Sequence, residues 1–196
     1  MSTEPLINII TRTSNRPHFF FCNWESVQVQ THKRIRHIVS YDDEATESYI
    51  KNYQNIDSFF IPRPSFKKDR FPYNLYCNEL MKHVTEGWVM YLDDDDLLTQ
   101  RDSIEQIVQN INSEDDLILW KVAFPDRIVP KHINKRPQMG QISAIGFMFH
   151  SKHITQNMWD DRQGSDYRVV SKLYSKLNPV WIDQILTRIN YSQNRG

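Results

Sequence analysis

The stretch Gly87-Trp88-Val89-Met90-Tyr91-Leu92-Asp93-Asp94-Asp95-Asp96-Leu97-Leu98 sets four carboxylates in a row directly after an uninterrupted apolar run. A short apolar run that starts at a glycine reads as a strand buried on both faces, the kind that occupies the centre of a parallel sheet. Each added aspartate repels its neighbours, so the cluster costs stability unless something positive sits on it. In parallel α/β sheets, ligands bind outside the carboxyl ends of the strands, and that is where these aspartates fall.

Working outward, the same alternation recurs. Leu6 to Thr11 reads as an apolar strand ending in Thr11-Arg12-Thr13, and Pro17 opens a helix with apolar Phe20, Trp24 and Val27. Arg34 to Tyr41 is a second strand ending at Asp42-Asp43; a polar helix and a short strand, Ser58 to Ile61, follow. Pro72 starts a helix in which Tyr76, Leu80 and Val84 recur every fourth residue until Gly87 stops it. Beyond the aspartates, Thr99 and Asp102 suggest a capping box for a helix with Ile104, Ile107, Val108 and Ile111 on its face. Leu117 to Phe124 and Gln141 to His150 read as strands, Gly164 to Leu177 as a helix and Val180 to Ile189 as a closing strand. The β-α-β-α order predicts an α/β fold, a mostly parallel central sheet with helices on both faces. Thr11-Arg12, Asp42-Asp43 and Asp93 to Asp96 would then converge on one crevice.

The chain of 196 residues has room for one sizeable core, and no linker composition divides it, so a single domain is expected. Lys plus Arg and Asp plus Glu number 24 each, which excludes a global field that would hold the molecule to nucleic acid or an anionic membrane. Cys22 and Cys77 match no metal or redox spacing and read as reduced thiols. No amino-terminal basic-then-apolar signal occurs, and no apolar run reaches the roughly 18 residues of a membrane span, so a soluble, cytoplasmic protein is expected. The loop 125–140 is basic, with Arg127, Lys131, Lys135 and Arg136, and reads as a solvated loop or as a lid over an anionic ligand.

Hard cations such as Mg²⁺ or Mn²⁺ take oxygen ligands, and Mg²⁺ uses one or two carboxylates plus substrate phosphates and water. In a D-x-D at a strand end the first and third side chains share one side, so Asp93 and Asp95 form the natural pair. An EF-hand does not fit, since Ile104 stands where its bidentate glutamate belongs. No P-loop or GxGxxG occurs, which leaves ATPase and dinucleotide readings unsupported. His150 and His153 are further candidates for a metal shell, against an ordinary hydrogen-bonded role. Trp159 and Tyr167 could pack or could stack on a sugar.

Thr11-Arg12-Thr13, "IVSYDD", the Arg70 and Asn74 pair ahead of "GWVMYLDDDDLL", and the late "GSDY" together resemble a family 2 glycosyltransferase of the GT-A fold. The resemblance spans roughly residues 6 to 190 and is most specific between Gly87 and Leu97. It implies a nucleotide-sugar-binding half, about 1–98, and an acceptor-binding half, about 99–196. It further implies Thr11, Arg12, Asp42, Asp43, Arg70, Asn74, Asp93 and Asp94 around the nucleotide of a UDP-sugar. Asp93 and Asp95 would hold Mn²⁺ or Mg²⁺, with Asp96 completing the motif. Asp166 would be the general base of an inverting hexosyl or deoxyhexosyl transfer to a saccharide or glycoprotein, with Asp161 as its alternate. Ser165 departs from the glutamate usual before that aspartate. Small enzymes of this kind are also encoded by large algal DNA viruses, an origin compatible with the Ile- and Asn-rich composition; a viral protein would act in the host cytoplasm. The competing expectations are a non-catalytic cation- or partner-binding module and a sugar-nucleotide pyrophosphorylase, whose Gly-rich phosphate loop is missing here.

Overall fold

The computed structural model describes residues 4–63, 65 and 70–190. Strands β1 (Ile7–Arg12), β2 (Ile35–Tyr41), β3 (Ile56–Phe60) and β4 (Trp88–Tyr91) lie in the order β3-β2-β1-β4, all parallel, in register from Ile7 opposite Ile35 and Trp88. Period-two alternation sends β4 to two cores at once. Val89 and Tyr91 join Ile10, Ile38, Leu80 and Met81 on the face covered by α3 (Leu75–Met81) and α5 (Ser165–Tyr174). Trp88 and Met90 join Ile7, Ile9, Val27, Ile104 and Ile107 on the face covered by α1 (Pro17–Gln28) and α4 (Ser103–Val108). Burial of each such side chain contributes about 1.5–3 kcal/mol relative to exposure, which is why this strand carries no polar residue. Gly87 precedes it with φ of +80°, and a Cβ there would lie 2.5 Å from the Leu6 carbonyl oxygen, so no other residue enters β4 at this point.

The second half of the sheet is mixed. β8 (Phe147–His150) runs antiparallel to both β4 and β6 (Asp116–Ala123), β6 pairs in parallel with β9 (Asn178–Ile189), and β9 pairs antiparallel with β5 (Asp96–Leu98). A two-residue strand, β7 (Ile128–Val129), folds back on β6 inside the basic loop. β5 follows β4 directly in the chain yet lies at the opposite end of the strand order, so the sheet curls and the four aspartates span the gap. α1 packs on β5, and the Asn190 N–H donates to the Asp95 carbonyl at 2.7 Å. α2 (Glu44–Ile50) follows β2.

Three expectations need correction. The proposed strand over 141–150 is a strand only from Phe147; a 3-10 turn, Ala144–Gly146, precedes it. The helix expected to run from Pro72 to Gly87 opens with a 3-10 turn, and its α part ends at Met81. The Thr99–Asp102 capping box does not form: Asp102 makes no side-chain cap, and the Thr99 hydroxyl donates to the Ile185 carbonyl at 2.8 Å, tying β5 to β9. Both cysteines are free, and among the described residues no helix is long and apolar enough to cross a membrane.

Candidate functional site

The crevice lies where β1, β2 and β4 end. Within the acidic turn exposure alternates: the Asp93 and Asp95 side chains are 21% and 23% exposed, whereas that of Asp94 is wholly buried and Asp96 nearly so. Asn23, a buried polar residue on the apolar face of α1, pins the turn by donating to the carbonyls of Leu92, Asp93 and Asp96 at 3.3, 2.8 and 3.0 Å. The Asp96 carboxyl in turn accepts the Asp93 N–H at 3.2 Å. Three backbone acceptors held by one amide fix the aspartates more firmly than a solvated acidic loop could be.

Two arginines face the carboxylates. Arg12, at the end of β1, forks Asp93 through Nε and a terminal nitrogen, the Nε contact being 2.7 Å, and its other terminal nitrogen donates to the Tyr73 carbonyl at 2.6 Å. Arg16, just before α1, donates to Asp95 at 3.1 Å and forms an ion pair with Asp94. That contact is not in hydrogen-bond line, and both Asp94 side-chain oxygens are buried without a well-directed donor among the described residues. Burial pushes the Asp94 carboxyl up to about 7 against the pull of Arg16, with Asp95 adding to the rise. Burial, then the charges of Asp93, Asp95 and Asp94, hold Asp96 well above the usual carboxylate range.

When the four carboxylates are ionised against two guanidiniums, two negative charges remain, the complement of one divalent cation. Among the described residues no group of three or more His, Cys, Asp or Glu side chains forms a ready-made cage. The turn can therefore offer only an incomplete oxygen shell, and its orphaned Asp94 oxygens and partly exposed Asp95 suit a hard cation completed by ligand oxygens. Cation binding would release the protons that the turn holds.

A raised carboxyl pKa favours the folded state at low pH, because the folded protein then binds more protons than the unfolded chain. That contribution is lost as pH rises from the ordinary value near 3.8 to about 7. Asp94→Asn should thus match the parent in thermal stability near pH 4 and gain on it progressively up to pH 7. Melting curves of the two proteins across this range check it. Comparing the pair cancels the opposing contribution of buried His37, whose pKa burial lowers to about 3.

At the end of β2 the two aspartates part company. Asp42 receives Arg63 Nε at 2.9 Å and the Tyr76 hydroxyl at 2.7 Å; burial works against its ionisation, but donation from Arg63, Tyr76 and Ser14 takes it down to about 2. Asp43 caps α2, accepting the Thr46 N–H at 2.7 Å. Thr11 does not line the crevice: it is fully buried, donating to the Leu92 carbonyl at 2.7 Å and bonded to His37, so it supports the floor.

Arg70 and Asn74 both face the loop before α5. Arg70 pairs with Asp161 at 2.8 Å, and Asn74 donates to the carbonyls of Asp160 and Arg162 at 3.1 and 3.3 Å. Asp160 is held by Arg168 and Arg162, which lower its pKa despite some burial. Asp166, in the first turn of α5, has no ion-pair partner among the described residues and accepts only the Tyr167 N–H, at 2.8 Å; burial raises its pKa. Of these three carboxylates it alone is left without an arginine. Gly164 before it is in the left-handed region, φ +73°, and a Cβ there would meet the Met139 methyl at 2.7 Å, so the basic loop lies beside this helix start. A continuous path, Asp93–Arg12–Tyr73 carbonyl and then Asn74–Asp160 carbonyl, connects the acidic turn to the Asp166 loop.

His150 and His153 are elsewhere. His150 pairs with Trp88 at the start of β4, at the opposite strand end from the aspartates, and His153 contacts Asp115 at 3.1 Å. Trp159 is buried against Tyr91, with ring centroids 4.8 Å apart, and serves the core. Sequence reasoning passed over Arg16, Asn23, Arg63 and Tyr76. Arg63 follows the carboxyl end of a parallel strand, and Asn23 interrupts the apolar face formed by Phe20 and Val27; both signals were present.

Comparison of the backbone with solved structures gives the class of fold. The chain resembles S. aureus TarS in complex with UDP (16% identity, TM-score 0.73, covering 95% of this chain and 61% of that one). It also resembles the UDP-GlcNAc complex of TarS (11% identity, TM-score 0.70, covering 97% and 60%). A third similar structure is the mannosyltransferase PcManGT from Pyrobaculum calidifontis with GDP-Man and Mn²⁺ (10% identity, TM-score 0.68, covering 99% and 59%). The fold is therefore GT-A, and the chain spans about 60% of the length of these structures. Residues 9–176 match Glycosyl transferase family 2, and the chain belongs to that family. No curated protein sequence matches it significantly.

Proposed function

We propose that this chain, working in the cytoplasm, is a metal-dependent inverting glycosyltransferase that moves a hexosyl or deoxyhexosyl group from a UDP-sugar to a hydroxyl of a saccharide or glycoprotein. The observation that carries the reading is the pinned acidic turn, whose four carboxylates outnumber the two arginines facing them, at the carboxyl ends of β1 and β4, connected by hydrogen bonds to the loop that leads into α5, where Asp166 has no arginine partner among the described residues. Asp95, with Asp93 held in place by Arg12 and the buried Asp94 beside it, would bind Mn²⁺ or Mg²⁺, which when bound supplies Lewis-acid neutralisation of the leaving diphosphate. Asp42, Asp43 and Arg63 would meet the nucleobase, Arg12 and Asp94 support the cation site, and Arg70 and Asn74 order the loop leading into α5, which carries the base. Asp166 would remove the acceptor proton; burial and its raised pKa keep it a competent proton acceptor near neutral pH. Residues up to about 98 would hold the donor and the remainder the acceptor, with the basic loop closing over the diphosphate.

Calorimetric titration of UDP in the presence of Mn²⁺, repeated with EDTA and with Asp95→Ala, tests the reading. Binding that needs the metal and is lost in the variant is expected. Silence toward UDP, GDP and dTDP in every condition would leave the non-catalytic module as the better description.

A further inference from the structure

We propose that Arg16 is the resident counter-ion of the acidic turn, holding the place of the divalent cation with its guanidinium and moving to the donor diphosphate when the cation arrives. The inference rests on the reading of the turn as a cation and diphosphate site. The two arginines of the turn are built differently. Arg12 is fixed on three sides by the fork on Asp93 and by the Tyr73 carbonyl, and its side chain is 19% exposed. Arg16 is 42% exposed and bridges only Asp94 and Asp95, with the Phe19 ring 5.8 Å away; among the described residues its guanidinium has no further hydrogen-bond partner. One arginine is part of the frame and the other can leave.

The fit of Arg16 to its partners is also incomplete. Asp94 is wholly buried, yet among the described residues neither side-chain oxygen receives a hydrogen bond in line, Arg16 meeting one of them only as an ion pair. A guanidinium needs directed N–H contacts, whereas a small cation accepts an oxygen from any direction, so a divalent ion suits this carboxylate better than Arg16 does. The two positive groups repel and cannot both remain on Asp94 and Asp95. The displaced side chain, rooted before α1 at the crevice mouth, meets a diphosphate whose paired oxygens match its fork. Cation and nucleotide then favour one another, because the cation releases the arginine that the nucleotide uses.

Manganese binding followed by the electron paramagnetic resonance of free Mn²⁺ reads this without turnover. Arg16→Gln is expected to bind Mn²⁺ about tenfold more tightly than the parent when no nucleotide is present, the size of a released, partly exposed ion pair. With saturating UDP the advantage should vanish or reverse. Arg16→Lys, which keeps the charge but cannot bridge both carboxylates, should fall between. Circular dichroism confirms that the variants fold, and the lysine variant keeps the test decisive should the glutamine variant not. Equal or weaker Mn²⁺ binding by both variants, with binding still lost in Asp95→Ala, would overturn the role of Arg16 and leave the donor site standing. Absence of both Mn²⁺ and UDP binding in the parent would overturn the donor site and this inference together.

Discussion

Replacing Asp166 by asparagine is expected to lower turnover about 10²–10⁴-fold while UDP and Mn²⁺ binding stay as they were. The size follows from the role: an attacking hydroxyl must lose its proton as the new bond forms, and an amide cannot take it. Asp166 suits this because Arg70 engages Asp161, and Arg168 engages Asp160 and lowers its pKa, whereas burial makes Asp166 more basic than an ordinary aspartate. Turnover in the parent should accordingly fall as pH drops through the raised Asp166 value, and Asp161→Asn should cost far less than Asp166→Asn. Single-turnover rates with donor saturating, beside UDP titrations, make the measurement. Near-normal turnover in Asp166→Asn would assign the proton to another group.

Arg12→Met should cost about 3 kcal/mol of folding stability and abolish donor binding. The methionine keeps most of the packing but strands the Asp93 carboxylate, now without its fork and still largely buried. Losing one partner of such a pair is costly because the other charge remains, so the double variant Arg12→Met/Asp93→Asn should regain much of the loss in urea unfolding. It should not regain UDP binding, because the cation site is gone. Equal stability of the single and double variants would mean that Asp93 is solvated rather than dependent on Arg12.

The sequence showed the parallel half of the sheet clearly because its signals are local: apolar runs with period two, Pro17 and Pro72 at helix starts, and Gly87 at the turn into β4. The crevice was legible for the same reason, since Arg12, Asp42 and Asp93 each end a strand whose direction the β-α-β order fixes. What escaped was set by distant partners. β5 was invisible because Asp96 to Leu98 is strand only by pairing with Ile189 to Thr187. The division of labour between Asp42 and Asp43 depends on Arg63, Tyr76 and the start of α2, none of which a dipeptide announces. Thr11 ends a strand as a pocket residue would, but its hydroxyl is committed to the Leu92 carbonyl, a partner 81 residues away in the chain.

The curl of the sheet bears on when this site comes into being during folding. β1 to β4 assemble from neighbouring segments, but the far flank of the aspartates is closed by β9, the last strand of the sheet, through β5 and through the Asn190 N–H on the Asp95 carbonyl. Contacts between segments so remote in the chain carry a large loop-closure cost and form late. Until they form, four adjacent carboxylates have only half of their frame and are free to spread apart, so ordering of the aspartates belongs to the final, cooperative step. A nascent polypeptide that already has β1 to β4 would still lack a framed acidic turn until β9 is made and docked.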